Sequence, residues 1–150
     1  MLTLYLVRHA ETFPGAIDFE RKLTPEGETQ AREMGLSLKK HRIKPDQILS
    51  SPAIRAVTTA KLIAKSLGKK VHTESSIYNA DVETLLAALG TLTTEKSVLL
   101  VAHNPGISLL ANYLANVTLP AFSPCDLCIL EIPAENWQSL TAHSGTIRAL

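Results

Sequence analysis

Apolar and polar residues along the chain follow the pattern of an α/β protein. Short apolar runs bounded by polar residues predict strands in the buried middle of a sheet. Longer stretches with apolar residues three and four positions apart predict amphipathic helices between them. The predicted strands cover residues 4–7, 46–49, 70–73, 97–102, 127–132 and 137–142. Alternating strands and helices predict a three-layer α/β/α sandwich with a largely parallel central sheet.

Capping residues mark where the helices begin. Thr24-Pro25 predicts a helix that ends near His41, and Ser51-Pro52 predicts a second helix that stops at Gly68. Asp81 is the predicted N-cap of a third helix. A fourth helix is predicted after the apolar strand in the second half of the chain.

The last two predicted strands, 127–132 and 137–142, are separated by a short polar segment. This spacing predicts an antiparallel hairpin at or near the C-terminal edge of the sheet.

Two of the predicted strands end in a histidine. Arg8 and His9 follow the first strand, and His103 follows the strand at 97–102. Arg55 lies in the first turn of the helix that follows another strand. Because ligands bind beyond the carboxyl ends of parallel strands, we expect these four side chains to converge. The aperiodic segment 13–22 is predicted to be a loop over this site.

These residue types suit the binding and transfer of a phosphoryl group. Two arginines offer planar donor forks for phosphate oxygens, and two helix N-termini add backbone donors. One neutral histidine could attack phosphorus while the other donates a hydrogen bond. The arginines supply the positive charge, so we expect no metal or cofactor. A two-histidine metal site is the alternative, but no further ligand recurs at the spacing that such a site requires.

Composition narrows the function classes. The chain has 150 residues, of which 45% are hydrophobic and 19% charged, and its formal net charge is +1. These values predict a single globular domain spanning residues 1–150, with no nucleic-acid or membrane partner bound through bulk charge. No signal peptide or transmembrane stretch is visible, so a cytoplasmic location is expected. Nothing in the composition indicates an oligomeric state.

The only two cysteines, Cys125 and Cys128, stand in a C-x-x-C spacing. Both fall in a predicted strand, where residues three apart point to opposite faces. We therefore expect neither a disulfide between them nor a zinc site, which needs further ligands.

Four motifs together resemble the histidine phosphatase superfamily. In chain order they are Leu-Val-Arg8-His9-Ala-Glu-Thr, Leu23-Thr24-Pro25-Glu26-Gly27, Ser-Ser-Pro52-Ala-Ile-Arg55-Ala-Val-Thr-Thr-Ala and Val101-Ala-His103-Asn104-Pro105. Within this superfamily of phosphoglycerate mutase-like fold, the short length and the His-Asn-Pro turn are most similar to the small phosphohistidine phosphatase branch.

The resemblance implies a role for each site residue. His9 would be the catalytic nucleophile that becomes phosphorylated, and Arg8, Arg55 and His103 would form the phosphate pocket. Arg21 matches an arginine often seen in this branch and would also bind phosphate. The implied activity is that of a metal-independent phosphatase acting on phosphohistidine in proteins, with a role in signal transduction.

Two features bear on the substrate. Many superfamily members place a carboxylate proton donor after the third strand, where this chain offers only Asp81, which helix capping explains equally well. No insertion is long enough to form a helical lid. A phosphomonoesterase acting on a small phosphorylated metabolite therefore stays an alternative, as does a non-catalytic phosphate-binding module.

Overall fold

Six strands form one sheet through the middle of the protein, in a computed structural model that describes residues 1–150. They are β1 (Leu2–Arg8), β2 (Gln47–Ser50), β3 (Val71–Thr73), β4 (Ser97–Ala102), β5 (Leu127–Ile132) and β6 (Thr146–Arg148). Their order across the sheet is β3-β2-β4-β1-β5-β6. The first four of these strands pair in parallel, whereas β5 and β6 join in antiparallel orientation.

Four helices cover the two faces of the sheet. They are α1 (Pro25–Lys40), α2 (Ile54–Leu67), α3 (Val82–Leu89) and α4 (Gly106–Leu114). Successive strand residues face opposite sides, so Tyr5 and Val7 pack with α1 and α2, while Leu4 and Leu6 pack with α3 and α4. The prediction of a three-layer sandwich is confirmed.

The pairing of β1 with β4 determines where the two strand-end histidines lie. Arg8 pairs with Ala102 at the carboxyl end of the ladder, and the His9 N–H donates to the Ala102 carbonyl at 3.1 Å. His103 follows directly. Both histidines therefore leave the sheet side by side at the same edge.

Three predicted helix boundaries are confirmed by their caps. The Thr24 side chain accepts from the Gly27 N–H at 2.9 Å, and the Asp81 carboxylate accepts from the Thr84 N–H at 2.9 Å. Gly68 ends α2 in the left-handed conformation, with φ of 65°.

The predicted start of α2 is wrong by two residues. Ser51 remains next to the sheet, where its N–H donates to the Val101 carbonyl at 3.2 Å, and Pro52 lies in a bend. The helix begins at Ile54, with Ala53 as an N-cap that makes no side-chain hydrogen bond. Ser51 therefore keeps its backbone bond to the sheet instead of capping the helix, and its hydroxyl accepts from the Ala53 N–H at 3.2 Å.

The second strand of the predicted hairpin is also misplaced. The chain forms a one-turn 3₁₀ helix at Trp137–Ser139, within the segment 137–142 that was expected to be a strand. The Trp137 indole is 2% exposed and its N–H donates to the Glu95 carbonyl at 2.7 Å. This anchor ties the segment to the loop before β4, and the edge strand forms later, at Thr146–Arg148.

Cys128 lies in a strand as predicted, whereas Cys125 does not. Cys125 precedes β5, in a turn with φ of 63°, whereas Cys128 lies within the strand. Both thiols are free and buried, and they belong to the hydrophobic clusters on opposite faces of the sheet. Burial raises the pKa of each thiol to about 11.

None of the helices combines the length and the apolar character that crossing a membrane would require.

We predict that Gly27→Ala destabilises the fold strongly. A Cβ at this position would lie 2.0 Å from the Glu11 carbonyl oxygen, which also accepts a hydrogen bond from the Thr24 N–H. Relieving the clash must move α1 away from the turn after β1, at a cost of about 1–3 kcal/mol or more. Urea unfolding measures the loss.

Gly90→Ala is the matched control, because its Cβ would meet no atom closer than 3.3 Å and its φ of −64° suits any residue. Equal stability of the Gly27 and Gly90 variants would contradict the packing argument.

Candidate active site

The structure brings four of the predicted residues together at the carboxyl ends of β1 and β4. The rings of His9 and His103 lie with their centroids 5.4 Å apart, and the Arg8 and Arg55 side chains flank them. His9 is 5% exposed, His103 4% and Arg55 4%. Two histidines and a guanidinium are therefore nearly removed from solvent at one point.

A backbone contact determines which nitrogen of His9 carries the proton. Nδ1 lies 2.9 Å from the Ala10 carbonyl oxygen. Since a carbonyl can only accept, Nδ1 carries the hydrogen and the lone pair is on Nε2. His9 therefore presents a nucleophilic nitrogen, and its tautomer is fixed by the chain itself.

Burial keeps His9 and His103 neutral. Desolvation, with the positive charges of Arg55, Arg8 and Arg21, lowers the pKa of His9 to about 4. Desolvation and Arg55 lower the pKa of His103 to about 3. At neutral pH the Nε2 lone pair of His9 is thus available for attack.

Ser51 fixes the tautomer of His103. The Ser51 hydroxyl oxygen accepts from the Ala53 N–H at 3.2 Å and lies 2.7 Å from Nε2 of His103. Nε2 is the only acceptor that the protein offers to the Ser51 hydroxyl hydrogen, so the tautomer that pairs this hydrogen carries the ring hydrogen on Nδ1. Nδ1 is buried and has no hydrogen-bond partner.

Both arginines also carry a buried N–H group without an acceptor. The Arg8 Nη1 donates to the Phe122 carbonyl at 3.0 Å, and its Nε has no partner. The Nη atoms of Arg55 are bonded, and its Nε likewise has none. Unpaired buried donors are rare, and here the three in the protein belong to residues of one site. A tetrahedral anion has enough acceptor oxygens to pair with three donors, which makes this cluster a candidate anion site.

Two polar groups, the Thr59 hydroxyl and the Phe122 carbonyl, hold the site's segments together with two hydrogen bonds each. Thr59 on α2 accepts from the Ala10 N–H at 3.0 Å and donates to the Arg55 carbonyl at 2.7 Å. The Phe122 carbonyl accepts from Arg8 and also from the Asn104 amide at 2.8 Å. The turns after β1 and β4 and the start of α2 therefore form one connected unit.

Segment 13–22 lies over this site, as expected. Its contact with the site is made by Asp18, a residue that the sequence analysis did not identify. Asp18 accepts hydrogen bonds from Arg55 and from the Tyr78 hydroxyl, and the predicted site residue Arg21 also bonds to it, at 3.1 Å. Asp18 and Tyr78 belong to no periodic element and stand 60 positions apart, so no local pattern links them. The spacing of Asp18 and Arg21, three residues apart, was the only available signal.

Asp81, which the sequence offered either as a proton donor or as a helix cap, lies on an exposed turn, where its carboxylate caps α3. The hydrogen bonds from Thr84 lower the pKa of this carboxyl group, which favours its ionised form. Its role as an acid stays a prediction. Nowhere in the protein do three or more His, Cys, Asp or Glu side chains cluster in a metal-binding arrangement.

A comparison of the chain with protein-family profiles identifies its family. The profile of the histidine phosphatase superfamily (branch 1) matches residues 4–82, just over half of the chain, and this range includes Arg8, His9 and Arg55. The chain belongs to the histidine phosphatase superfamily. The resemblance seen in the motifs is thereby confirmed, and the protein is a histidine phosphatase.

Several solved structures share the fold of this chain. A protein assigned as the phosphohistidine phosphatase SixA of Agrobacterium tumefaciens is 28% identical, with a TM-score of 0.78 over 87% of this chain and 91% of that chain. The protein histidine phosphatase SixA complexed with tungstate is 24% identical, with a TM-score of 0.84 over 99% and 95%. A mycobacterial glucosyl-3-phosphoglycerate phosphatase is 19% identical, with a TM-score of 0.70 over 99% and 96%. No curated protein sequence matches the chain significantly.

We predict that His9 of this histidine phosphatase titrates near pH 4 in the ligand-free protein, rather than near the ordinary 6.5. Unfolded, the same histidine takes up its proton around pH 6.5, so the unfolded state binds more protons between these values. The free energy of unfolding should therefore fall as pH drops from about 6.5 to 4. NMR titration of the His9 Cε1–H resonance measures the first effect, and denaturant unfolding across this range measures the second.

The His9→Ala variant assigns the resonance. A His9 midpoint at pH 6 or above would contradict the assignment of a neutral, desolvated imidazole.

Proposed function

We propose that this phosphatase removes the phosphoryl group from phosphohistidine in proteins, through a phosphorylated His9. The observation that carries the proposal is the set of three buried, unpaired N–H groups beside the Nε2 lone pair of His9. The 28% identity to a protein assigned as a phosphohistidine phosphatase supports this substrate class.

The first step transfers the phosphoryl group to His9. Nε2 of His9 attacks phosphorus, the P–N bond of the substrate breaks, and the substrate imidazole leaves and takes a proton from solvent. Arg8, Arg55 and His103 donate to the phosphoryl oxygens while charge develops on them. In the second step water attacks phospho-His9, its proton passes to solvent, and inorganic phosphate and free His9 are formed.

The surroundings of Asp81 favour a nitrogen leaving group over an oxygen leaving group. An alkoxide must be protonated by a positioned acid, which is typically worth about 10²- to 10⁴-fold in rate. Imidazole is basic enough to be protonated at neutral pH without one. Because Asp81 is exposed, caps α3 and has a lowered pKa, it offers little as a proton donor.

The outer residues of the site are partly exposed, although His9, His103 and Arg55 are buried. Asp18 and Arg21 keep 46% and 29% of their side-chain area exposed. We expect a phosphohistidine side chain on a protein to approach the site from this side. The expected cytoplasmic location and signalling role stay predictions.

A rate comparison tests the proposal. We expect phosphohistidine in a histidine-phosphorylated carrier protein to be hydrolysed well above the rate of p-nitrophenyl phosphate, with chelator present throughout. Asp81→Asn should leave phosphohistidine hydrolysis within about twofold, because asparagine also caps helices and no acid is needed. His9→Ala should abolish both activities, whereas His41→Ala, at an exposed position away from the site, should change neither.

The other outcomes identify the alternatives. If only the ester is hydrolysed and Asp81→Asn slows it sharply, the protein is a phosphomonoesterase with Asp81 as its acid. If neither compound is hydrolysed but inorganic phosphate binds even to His9→Ala, the protein is a phosphate-binding module.

A further inference from the structure

Asp18 makes contacts with three separate parts of the chain. It lies in the one-turn 3₁₀ helix Asp18–Glu20. Its carboxylate accepts from Arg21 Nη1 at 3.1 Å, Arg55 Nη2 at 3.0 Å and the Tyr78 hydroxyl at 2.6 Å. Its backbone carbonyl accepts from Arg55 Nη1 at 2.7 Å. One residue therefore connects the segment before α1, the start of α2 and the turn before α3.

The contacts with Arg55 determine how its guanidinium is oriented. Asp18 occupies Nη1 and Nη2, while Nε is buried without a partner. A guanidinium group is planar with fixed donor directions, so holding two of its nitrogens fixes where the third N–H points. Asp18 thus accepts from one N–H on each Nη of Arg55 and leaves the buried Nε–H without an acceptor.

The Asp18 carboxylate also binds Tyr78, which packs against His103. The Tyr78 ring packs edge-on against the His103 ring, with centroids 5.6 Å apart, and Phe19 packs edge-on against Tyr78 at 5.1 Å. The hydrogen bond from the Tyr78 hydroxyl, together with the two arginines, keeps the pKa of Asp18 well below its usual range, so that the carboxylate stays ionised. It is the acidic side chain paired with the buried Arg55.

We propose that Asp18 is a positioning residue, which aims the Nε–H of Arg55 into the phosphate site and holds Tyr78 against His103. This inference rests on the phosphate-binding role proposed for Arg55. The opposite possibility is that Asp18 is an internal competitor, which occupies Arg55 until phosphate displaces it. The unpaired Nε favours positioning, because Asp18 does not occupy that donor.

Substitutions at Asp18 separate the two roles. We expect Asp18→Ala to raise the Kd for inorganic phosphate about tenfold or more, since hydrogen bonds to charged groups are lost from Arg55. It should also lower kcat for p-nitrophenyl phosphate. Asp18→Asn should recover much of both, because its amide oxygen can still accept from Arg55 or Tyr78. Isothermal titration calorimetry gives the phosphate Kd, and steady-state kinetics give kcat and KM.

Glu20→Gln is the matched control, because it removes a negative charge from the same 3₁₀ turn at an exposed position. We expect its phosphate affinity and kcat to match those of the parent. A purely structural role for Asp18 would lower the melting temperature without changing phosphate affinity in the folded protein. If Asp18→Ala does not fold, the comparison of Asp18→Asn with Glu20→Gln decides.

Tighter phosphate binding in both Asp18 variants, with kcat unchanged, would overturn the proposal in favour of a competitor. Unchanged phosphate binding in both would overturn it as well. Arg55→Ala, measured in parallel, distinguishes a failure of the positioning role of Asp18 from a failure of the phosphate pocket. If Arg55→Ala weakens phosphate binding and the Asp18 variants do not, only the positioning role fails. If Arg55→Ala has no effect either, the proposed phosphate pocket fails with it.

Discussion

The site depends on buried N–H groups that have no acceptor in the protein. Arg8, Arg55 and His103 each contribute one such group next to the neutral imidazole of His9. Leaving a buried donor unpaired costs about 1–3 kcal/mol, so a fold retains three of them only if the surrounding contacts hold them in place. A tetrahedral anion accepts hydrogen bonds in several directions at once. The binding of a phosphoryl group would therefore offset a cost that folding has already incurred.

The contacts that hold these donors come from distant parts of the chain. The β1–β4 register brings the two histidines together, Ser51 fixes the tautomer of His103, and the Phe122 carbonyl anchors Arg8. Asp18 does the same for Arg55. Each contact restricts the orientation or the tautomer of a side chain in the site, so the site is preorganised before substrate arrives.

The sequence predicted the residues that follow hydrophobic runs, but not the contacts between those residues. His9 and His103 could be found because each ends an apolar run, and periodicity predicted all four helices. The burial of Arg55 could not be predicted, because its side chain bonds to Asp18, which lies 37 positions away in the sequence. Asp18 could not either, because its partners Arg55 and Tyr78 lie 37 and 60 positions away and its own segment has no period. Tertiary contacts of this kind leave no local pattern.

Direct detection of the phosphorylated enzyme tests the central claim, that His9 is the nucleophile. The protein would be mixed with a phosphohistidine-bearing carrier protein, quenched in alkali during turnover and mapped by mass spectrometry. The account predicts one acid-labile, alkali-stable phosphoryl group, located on His9 and absent from His9→Ala. A phosphoryl group on another residue, or full turnover by the His9→Ala variant, would contradict it.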